Sequence, residues 1–468
     1  MLSNTVPLFK HDNLPKMIGM VGGITCIWGG VIEWGYPAEG SHQQHLSGGR
    51  TMETFHNPDR FMSDLRQVLS QGRKRIGILV GAGAPLAIHV NEKNEVDPEG
   101  KSLIPGVEAL TQQATAGLSE TQTAAVEAIK ASLGSTVNIE SILSRIRLLE
   151  QALGDTVVQG LDSDGYKNLG KDICKNIAKI VGVYLPRERN AYSELIAWVT
   201  GTVRSNSVEI FTTNYDFLFE EAFERVRSPY FDGFSGGSKP FFDPVSVASD
   251  DLPARWAKLW KMHGSLGWAL EGGAVVRGHG REAAELVYPD HLKYDLTQKQ
   301  PYSALFERLK RFLLTPDSLL LTIGFSFRDA HICAVLDESL AMNANTAVLA
   351  FQYQTLEKEE PAVKLANDRP NLSVYAADGA VIGGISGKWR PGELPKNWGG
   401  IRKSFWASRW PKEPAVFLLG DFAAFARFCA LAQANDLILQ SLKRDEPDCS
   451  EEDADSSANV IDVKEDNK

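Results

Sequence analysis

The stretch RIGILVGAGA, Arg75 to Ala84, decides how the rest of the chain is read. A short apolar run broken by glycines reads as a buried parallel strand entering a tight turn. Gly81 and Gly83 would let the backbone approach a pyrophosphate, with partial positive charge from a following helix N-terminus. The full GxGxxG fingerprint is absent, because Leu86 stands where the third glycine would be. Alone, the turn reads equally well as a tight strand-to-helix connection.

Three later stretches repeat the same grammar of strand, then polar or glycine-containing turn. Val208 to Phe211 leads into Thr212-Thr213-Asn214-Tyr215-Asp216. Leu259 to Met262 leads into His263-Gly264-Ser265, and Ser318 to Ile323 leads into Gly324-Phe325-Ser326. Further strands are expected at Thr346–Phe351 and Leu372–Tyr375. In open α/β sheets ligands bind outside the carboxyl ends of the strands, so these turns should converge on one crevice. Between the first and second strands, about residues 107–205, the pattern is helical. Asn138 can cap a helix whose stripe is Ile139, Ile142, Leu143, Ile146, Leu149 and Leu153. A helix is also expected from Pro58 to Gln71. Asp378 to Arg409, rich in Gly, Trp and Pro, reads as irregular, and Phe417 to Gln440 as a closing helix with Asp421 as its cap.

Composition bounds the function. The chain has 468 residues, 43% hydrophobic and 23% charged, enough for a sizeable core. Net charge is -10. From Asp445 to Lys468 there are ten acids against two lysines, so -8 of the total sits there and the body is near neutral. That excludes a broad nucleic-acid footprint, and the acidic tail is expected to be disordered. The five cysteines form no CxxC pair, so neither a disulfide framework nor a cysteine zinc site is indicated and a cytoplasmic location is expected. Met17 to Trp34 is apolar but holds five glycines and Glu33. It reads as a leader that is poorly ordered or partly packed rather than as a membrane span.

Each turn carries groups able to do chemistry, and each has a plainer reading. The Asn214 amide can donate to and accept from a ribose hydroxyl or a water, and Asp216 could orient it or stabilise positive charge. An Asn/Asp turn or helix cap explains the pair as well. His263, at a strand end beside a glycine, has the right ordinary pKa for a base near neutral pH, though a lone histidine is more often structural. Gly324 and Ser326 suit phosphate or ribose contacts, with Asp329 and His331 close behind, while Asp329 could simply cap the next helix.

The ordered combination GAGA, TTNYD, MHGS and GFSFRDAHI resembles the sirtuin superfamily over roughly Arg75 to Phe351. The resemblance implies an NAD site with Asn214, Asp216 and His263 at the nicotinamide-ribose end. It also implies cofactor contacts from Gly81, Ala82, Gly83, Gly324, Ser326, Asp329 and His331, with Ile104-Pro105-Gly106 as the flexible cofactor loop. The chain departs from the pattern in having Pro85 where a serine usually follows GAGx, in its helical insertion, and in lacking the two cysteine pairs that hold a structural zinc. In those departures it resembles the bacterial sirtuin-like proteins of antiphage defence that degrade NAD. Stretches such as RWAKLWKMHGS and YPDHLKYDLTQKQPYSALFERL resemble the subgroup paired with a HerA-type hexameric ATPase.

The expected fold is therefore α/β, a Rossmann-like parallel sheet with a large helical insertion and a small C-terminal extension. The expected parts are a leader (1–57), a sirtuin-like NAD-binding domain (58–376, insertion about 107–205), an extension serving as an interface (377–444) and the acidic tail (445–468). The expected function is an NAD glycohydrolase with NAD as substrate and no zinc, acting as a homo-oligomer without direct nucleic-acid binding. The alternatives are an NAD-dependent protein deacylase and a non-catalytic NAD-sensing subunit.

Overall fold

The computed structural model describes residues 53–134, 137–278, 280–281, 300–392, 399–407 and 415–432. The Met17–Trp34 run, the acidic tail, Trp398 and Trp410 lie outside them. The described chain opens with β1 (Phe55–His56), α1 (Pro58–Ser70) and β2 (Arg75–Val80). A four-residue helix, α2 (Gly83–Leu86), and a small hairpin, β3 (His89–Val90) with β4 (Lys101–Ser102), follow. Five helices come next: α3 (Val107–Ala114), α4 (Glu120–Leu133), α5 (Ile139–Leu153), α6 (Ser163–Val181) and α7 (Ala191–Gly201). The chain then returns through β5 (Glu209–Thr212), α8 (Leu218–Arg225) and β6 (Tyr230–Phe231). An excursion of β7 (Phe234–Ser235), β8 (Phe241–Phe242) and α9 (Pro244–Ala248) precedes β9 (Ala257–Lys261). After β10 (Trp268–Glu271) and β11 (Ala274–Arg277), α10 (Tyr302–Leu314) leads to β12 (Ser318–Ile323) and α11 (Ala330–Met342). The rest is β13 (Ala347–Phe351), α12 (Glu360–Asp368), β14 (Leu372–Tyr375), β15 (Gly379–Ile382) and β16 (Ile385–Trp389). Last come α13 (Gly399–Phe405), β17 (Trp406–Ala407), β18 (Val416–Phe417) and α14 (Phe422–Ala432).

Ten strands form one sheet in the order β1-β16-β15-β14-β13-β12-β2-β5-β9-β6. From β14 to β6 every neighbouring pair is parallel. The chain runs outward from β2 through β5 to β9, then returns beside β2 at β12 and runs the other way through β13 to β14. This is the doubly wound Rossmann order, with its switch point between β2 and β12. β2, β5, β9 and β12 are almost wholly buried, as strands covered on both faces must be. The short apolar runs that decide the fold in the sequence are these strands, and the helical insertion is α3 to α7.

The insertion folds from its own local signals. Asn138 accepts from the Ser141 amide, and the Ser141 side chain accepts from the Asn138 amide, a reciprocal cap that starts α5. Ile139, Ile142, Leu143 and Ile146 are buried, each such side chain contributing roughly 1.5–3 kcal/mol. α5 packs on α6, and α7 packs on α14 through a Tyr192–Phe422 ring pair at 5.0 Å. Asp421 starts α14 by accepting from the Ala424 amide, as expected of it.

The stretch expected to be irregular, Asp378 to Arg409, instead carries β15, β16 and α13. Gly383 and Gly384, at φ 60° and 76°, turn β15 tightly into β16. Paired positive φ is what a two-residue hairpin of the right twist demands, so a Gly-Gly between Val381-Ile382 and Ile385 is a hairpin signal. β16 in turn pairs with β1, so residues on both sides of the expected 57/58 and 376/377 boundaries belong to one continuous sheet. Trp389 and Phe405, expected at an interface, are buried within this chain, with Trp389 stacked on Tyr375 at 6.0 Å.

Candidate functional site

β12, β2, β5 and β9 lie side by side and parallel, so their carboxyl ends share one end of the sheet around the β2–β12 switch point. Gly81 and Gly83 follow β2, and their amides donate to the carbonyls of Ile323 and Gly324 at 3.1 and 3.0 Å. The two turns touch so closely that a Cβ on Gly81 would lie 2.3 Å from the Gly324 carbonyl oxygen. A Cβ on Gly324, at φ +63°, would lie 2.8 Å from the Ala84 nitrogen. These glycines therefore serve backbone-to-backbone contact between turns. Ala82 caps the short α2 without a side-chain bond, and Ser326 is exposed beyond the Gly324 turn. Phe327 holds a left-handed φ of 56° while buried against Phe325, a costly conformation for a bulky residue.

The turn after β5 is tied to the glycine turn. Asn214 Nδ2 donates to the Gly81 carbonyl at 3.1 Å, and its amide donates to Thr212 Oγ1 at 3.1 Å. Asp216 Oδ1 accepts from the Leu218 amide at 3.0 Å as α8 begins. Both side chains are buried. Beneath them lies Lys261, the last residue of β9 and 2% exposed. Its ammonium sits 3.3 Å from Glu220 Oε1 and donates to the Asp216 carbonyl. Burial pushes the Asp216 carboxyl up against the pull of Lys261. The same opposition leaves Glu220 at about 6. Tyr192 of α7 completes this cluster, its phenol raised well above its usual range by burial and then by the nearby Asp216 and Glu220.

His263, next along from β9, is 3% exposed. Its Nε2 lies 2.7 Å from Asp329 Oδ2, and its Nδ1 lies 3.5 Å from Glu140 Oε1. Asp329 also does what a cap does: its Oδ1 accepts from the His331 and Ile332 amides at 2.9 and 3.0 Å to start α11. Asp329 thus caps α11 with one oxygen while the other faces His263. Burial works against a charged imidazole, but the two carboxylates prevail and raise His263 to about 10. Against its own desolvation, Asp329 is lowered to about 2 by His263, and Glu140 is lowered too. The Glu140 oxygen also accepts from the Tyr215 hydroxyl at 3.2 Å. His331 stands at the rim, Nδ1 3.8 Å from Asp329 Oδ1.

The structure thus brings Asn214, Asp216 and His263 to one end of the sheet, beside the Gly81–Gly83 and Gly324 turns. Sequence reasoning missed Glu140, Tyr192, Glu220 and Lys261. Only Lys261, a charged residue inside a strand expected to be buried, carried a signal. Glu140 and Tyr192 lie in the insertion, where a tertiary partner cannot be read from helical spacing. A cavity of about 720 Å³ lies beside α2, lined by Leu86, Pro105, Gly106, Lys101 and Tyr184 among others. Its size suits a nucleotide fragment. It borders the Ile104–Gly106 segment of the expected cofactor loop, and its lining includes neither Asn214, Asp216 nor His263. Among the described residues no group of three or more His, Cys, Asp or Glu could hold a metal ion, and no helix is long and apolar enough to cross a membrane.

No curated protein matches the chain. A solved structure described as "Structural Basis for the Mechanism and Regulation of Sir2 Enzymes" aligns with 66% of this chain and 96% of its own. Its identity to this chain is 12% and its TM-score 0.28. Residues 208–371, which contain the Asn214–Asp216, His263 and Gly324–Ser326 turns, match the family model of the SIR2-like domain, and over that stretch the chain is similar to that family.

Proposed function

We propose that this protein cleaves NAD to nicotinamide and ADP-ribose, with Asn214, Asp216 and His263 as the reacting end of the site. The observation that supports the reading is that these three residues follow the neighbouring parallel strands β5 and β9 at the carboxyl end of the sheet, within the stretch similar to the SIR2-like domain. Nicotinamide leaves as a neutral molecule from a pyridinium, so no general acid is required. The transition state is oxocarbenium-like, as in glycoside cleavage. Asn214 would place water and the ribose hydroxyls, and Asp216 would stabilise the developing positive charge. His263 would take a proton from water or ribose. Gly81, Ala82, Gly83, Gly324, Ser326 and His331 would line the dinucleotide. The narrower biological reading is NAD depletion in antiphage defence in the cytoplasm, as a homo-oligomer working with a HerA-type ATPase. It rests on the sequence resemblance alone.

Purified protein incubated with NAD, followed by chromatography of nicotinamide and ADP-ribose, tests the chemistry. Free ADP-ribose without any peptide supports hydrolysis, whereas product only with an acylated peptide marks a deacylase. Asn214→Ala and His263→Ala should each lower nicotinamide release by at least ~10²-fold, the scale of a positioned electrostatic or acid–base group, with the fold intact by circular dichroism. Near-normal turnover in a well-folded variant refutes the site. Light scattering at several concentrations, with and without the ATPase, tests assembly. A monomer whose specific activity is the same at all concentrations and indifferent to that partner speaks against it.

A further inference from the structure

A base must have a nitrogen open to its substrate, and both ring nitrogens of His263 are buried. Asp329 faces Nε2 and Glu140 faces Nδ1. The two carboxylates come from different parts of the fold. Asp329 stands at the start of α11, directly after the Gly324 turn, and is anchored there by two backbone amides. Glu140 is the second residue of α5, within the helical insertion. Among the described residues it is held at the site by the Tyr215 hydroxyl and by His263 itself, and its side chain stays 39% exposed. Among the described residues, the groups facing His263 are thus two acids and no cation. Behind them stand the Tyr215 phenol and the His331 ring. An imidazole set between two carboxylates is favoured as a cation, each ring nitrogen in charge contact with an acid although neither completes a well-aligned hydrogen bond. It holds its proton at neutral pH and cannot accept another.

We propose that Glu140 is a latch: the helical insertion uses it to keep His263 in an occluded state, and NAD cleavage begins only when α5 withdraws that carboxylate. Of the two acids Glu140 is the one to move, because Asp329 would have to abandon its cap. Asp329 then remains as the positioning residue, fixing the ring through Nε2 while Nδ1 becomes the free atom. This inference rests on the reading of His263 as the base. It makes the insertion a control element, since any contact that shifts α5 changes the reacting residue directly.

The test is Glu140→Gln in the full chain, assayed for nicotinamide release from pH 5 to 10 together with the titration of ¹³C-labelled histidine by NMR. His263→Gln identifies the resonance. In the unaltered protein that resonance should titrate far above the other histidines. In Glu140→Gln it should titrate at lower pH, and nicotinamide release near pH 7 should rise at least ~10-fold, the change in free base that one pKa unit gives. Should Glu140→Gln fold poorly, Tyr215→Phe removes the hydroxyl that holds Glu140 and should move both readouts the same way by less. An unshifted resonance, or a shifted one with unchanged or lower release, overturns the latch. If no form of the protein releases nicotinamide, the hydrolase reading falls by itself, and the latch is judged on the His263 resonance alone.

Discussion

At Gly324 one missing Cβ decides how two turns meet. The position has a left-handed φ, and an added methyl would run into the backbone of Gly83 and Ala84. Gly324→Ala should therefore destabilise the fold by at least about 1–3 kcal/mol, the cost of a strained backbone position, as read by denaturant unfolding. A neutral result would mean that the β2 and β12 turns can separate without penalty. His263 gives a second prediction, on pH. Its folded value, about 10, lies above the ordinary 6.5, so the stabilisation it contributes is complete below pH 6.5 and lost as pH rises through 10. Asp329, lowered from 3.8 to about 2, contributes stability present above pH 3.8 and lost as pH falls through 2. The melting difference between the unaltered protein and His263→Gln should thus be widest between pH 4 and 6.5 and shrink toward pH 10. A difference flat across that range in calorimetry would show that the carboxylates are not paired with the ring in solution. These residue-level facts were half legible in the sequence. Asn214, Asp216 and His263 stand out because each follows a strand. Glu140 does not, because its role depends on a partner 123 positions away across an insertion.

Among elements, β5, β9 and α10 are joined by charge in a place where charge is expensive. Glu209 of β5 and Arg308 of α10 are both about 1% exposed, linked by two bonds of 2.7 Å. Trp260 of β9 donates to the same carboxylate at 2.9 Å. Asp250, after α9, binds Arg308, Lys258, Arg75 and Arg311 at 2.6–3.2 Å. The network gathers at the amino ends of β2, β5 and β9, the opposite end of these strands from the candidate site. Arg308→Met leaves Glu209 buried without its guanidinium and should cost about 3–5 kcal/mol while leaving the spacing of Asn214 and His263 unchanged. A loss below 1 kcal/mol in urea unfolding would mean that water reaches Glu209. The local pattern gives one sign of this network, Glu209 inside a strand that otherwise reads as apolar, but its partner lies in a helix 99 residues on and is not legible there. By contrast, α5 was readable almost to its ends, because its cap and stripe are both local. The β15–β16 hairpin was overlooked because glycine and tryptophan density reads as loop, although Gly383-Gly384 is the feature that makes the turn.

On the scale of the whole molecule, the Rossmann order and the inserted helices follow from the periodicities, since each β-strand of the switch point is a short apolar run ending in a turn. What periodicity cannot show is how far the sheet continues. Among the described residues it is bounded on one side by β1 and on the other by β6, each only two residues long. Strands that short present almost no unpaired backbone to a neighbour. A sheet of ten strands with two long bare margins would invite another copy to lengthen it into a fibre, and abbreviated margins are one way proteins avoid that fate. Copies of this chain that associate would accordingly do so through their helical flanks and loops, leaving each sheet a closed ledger of hydrogen bonds within its own chain.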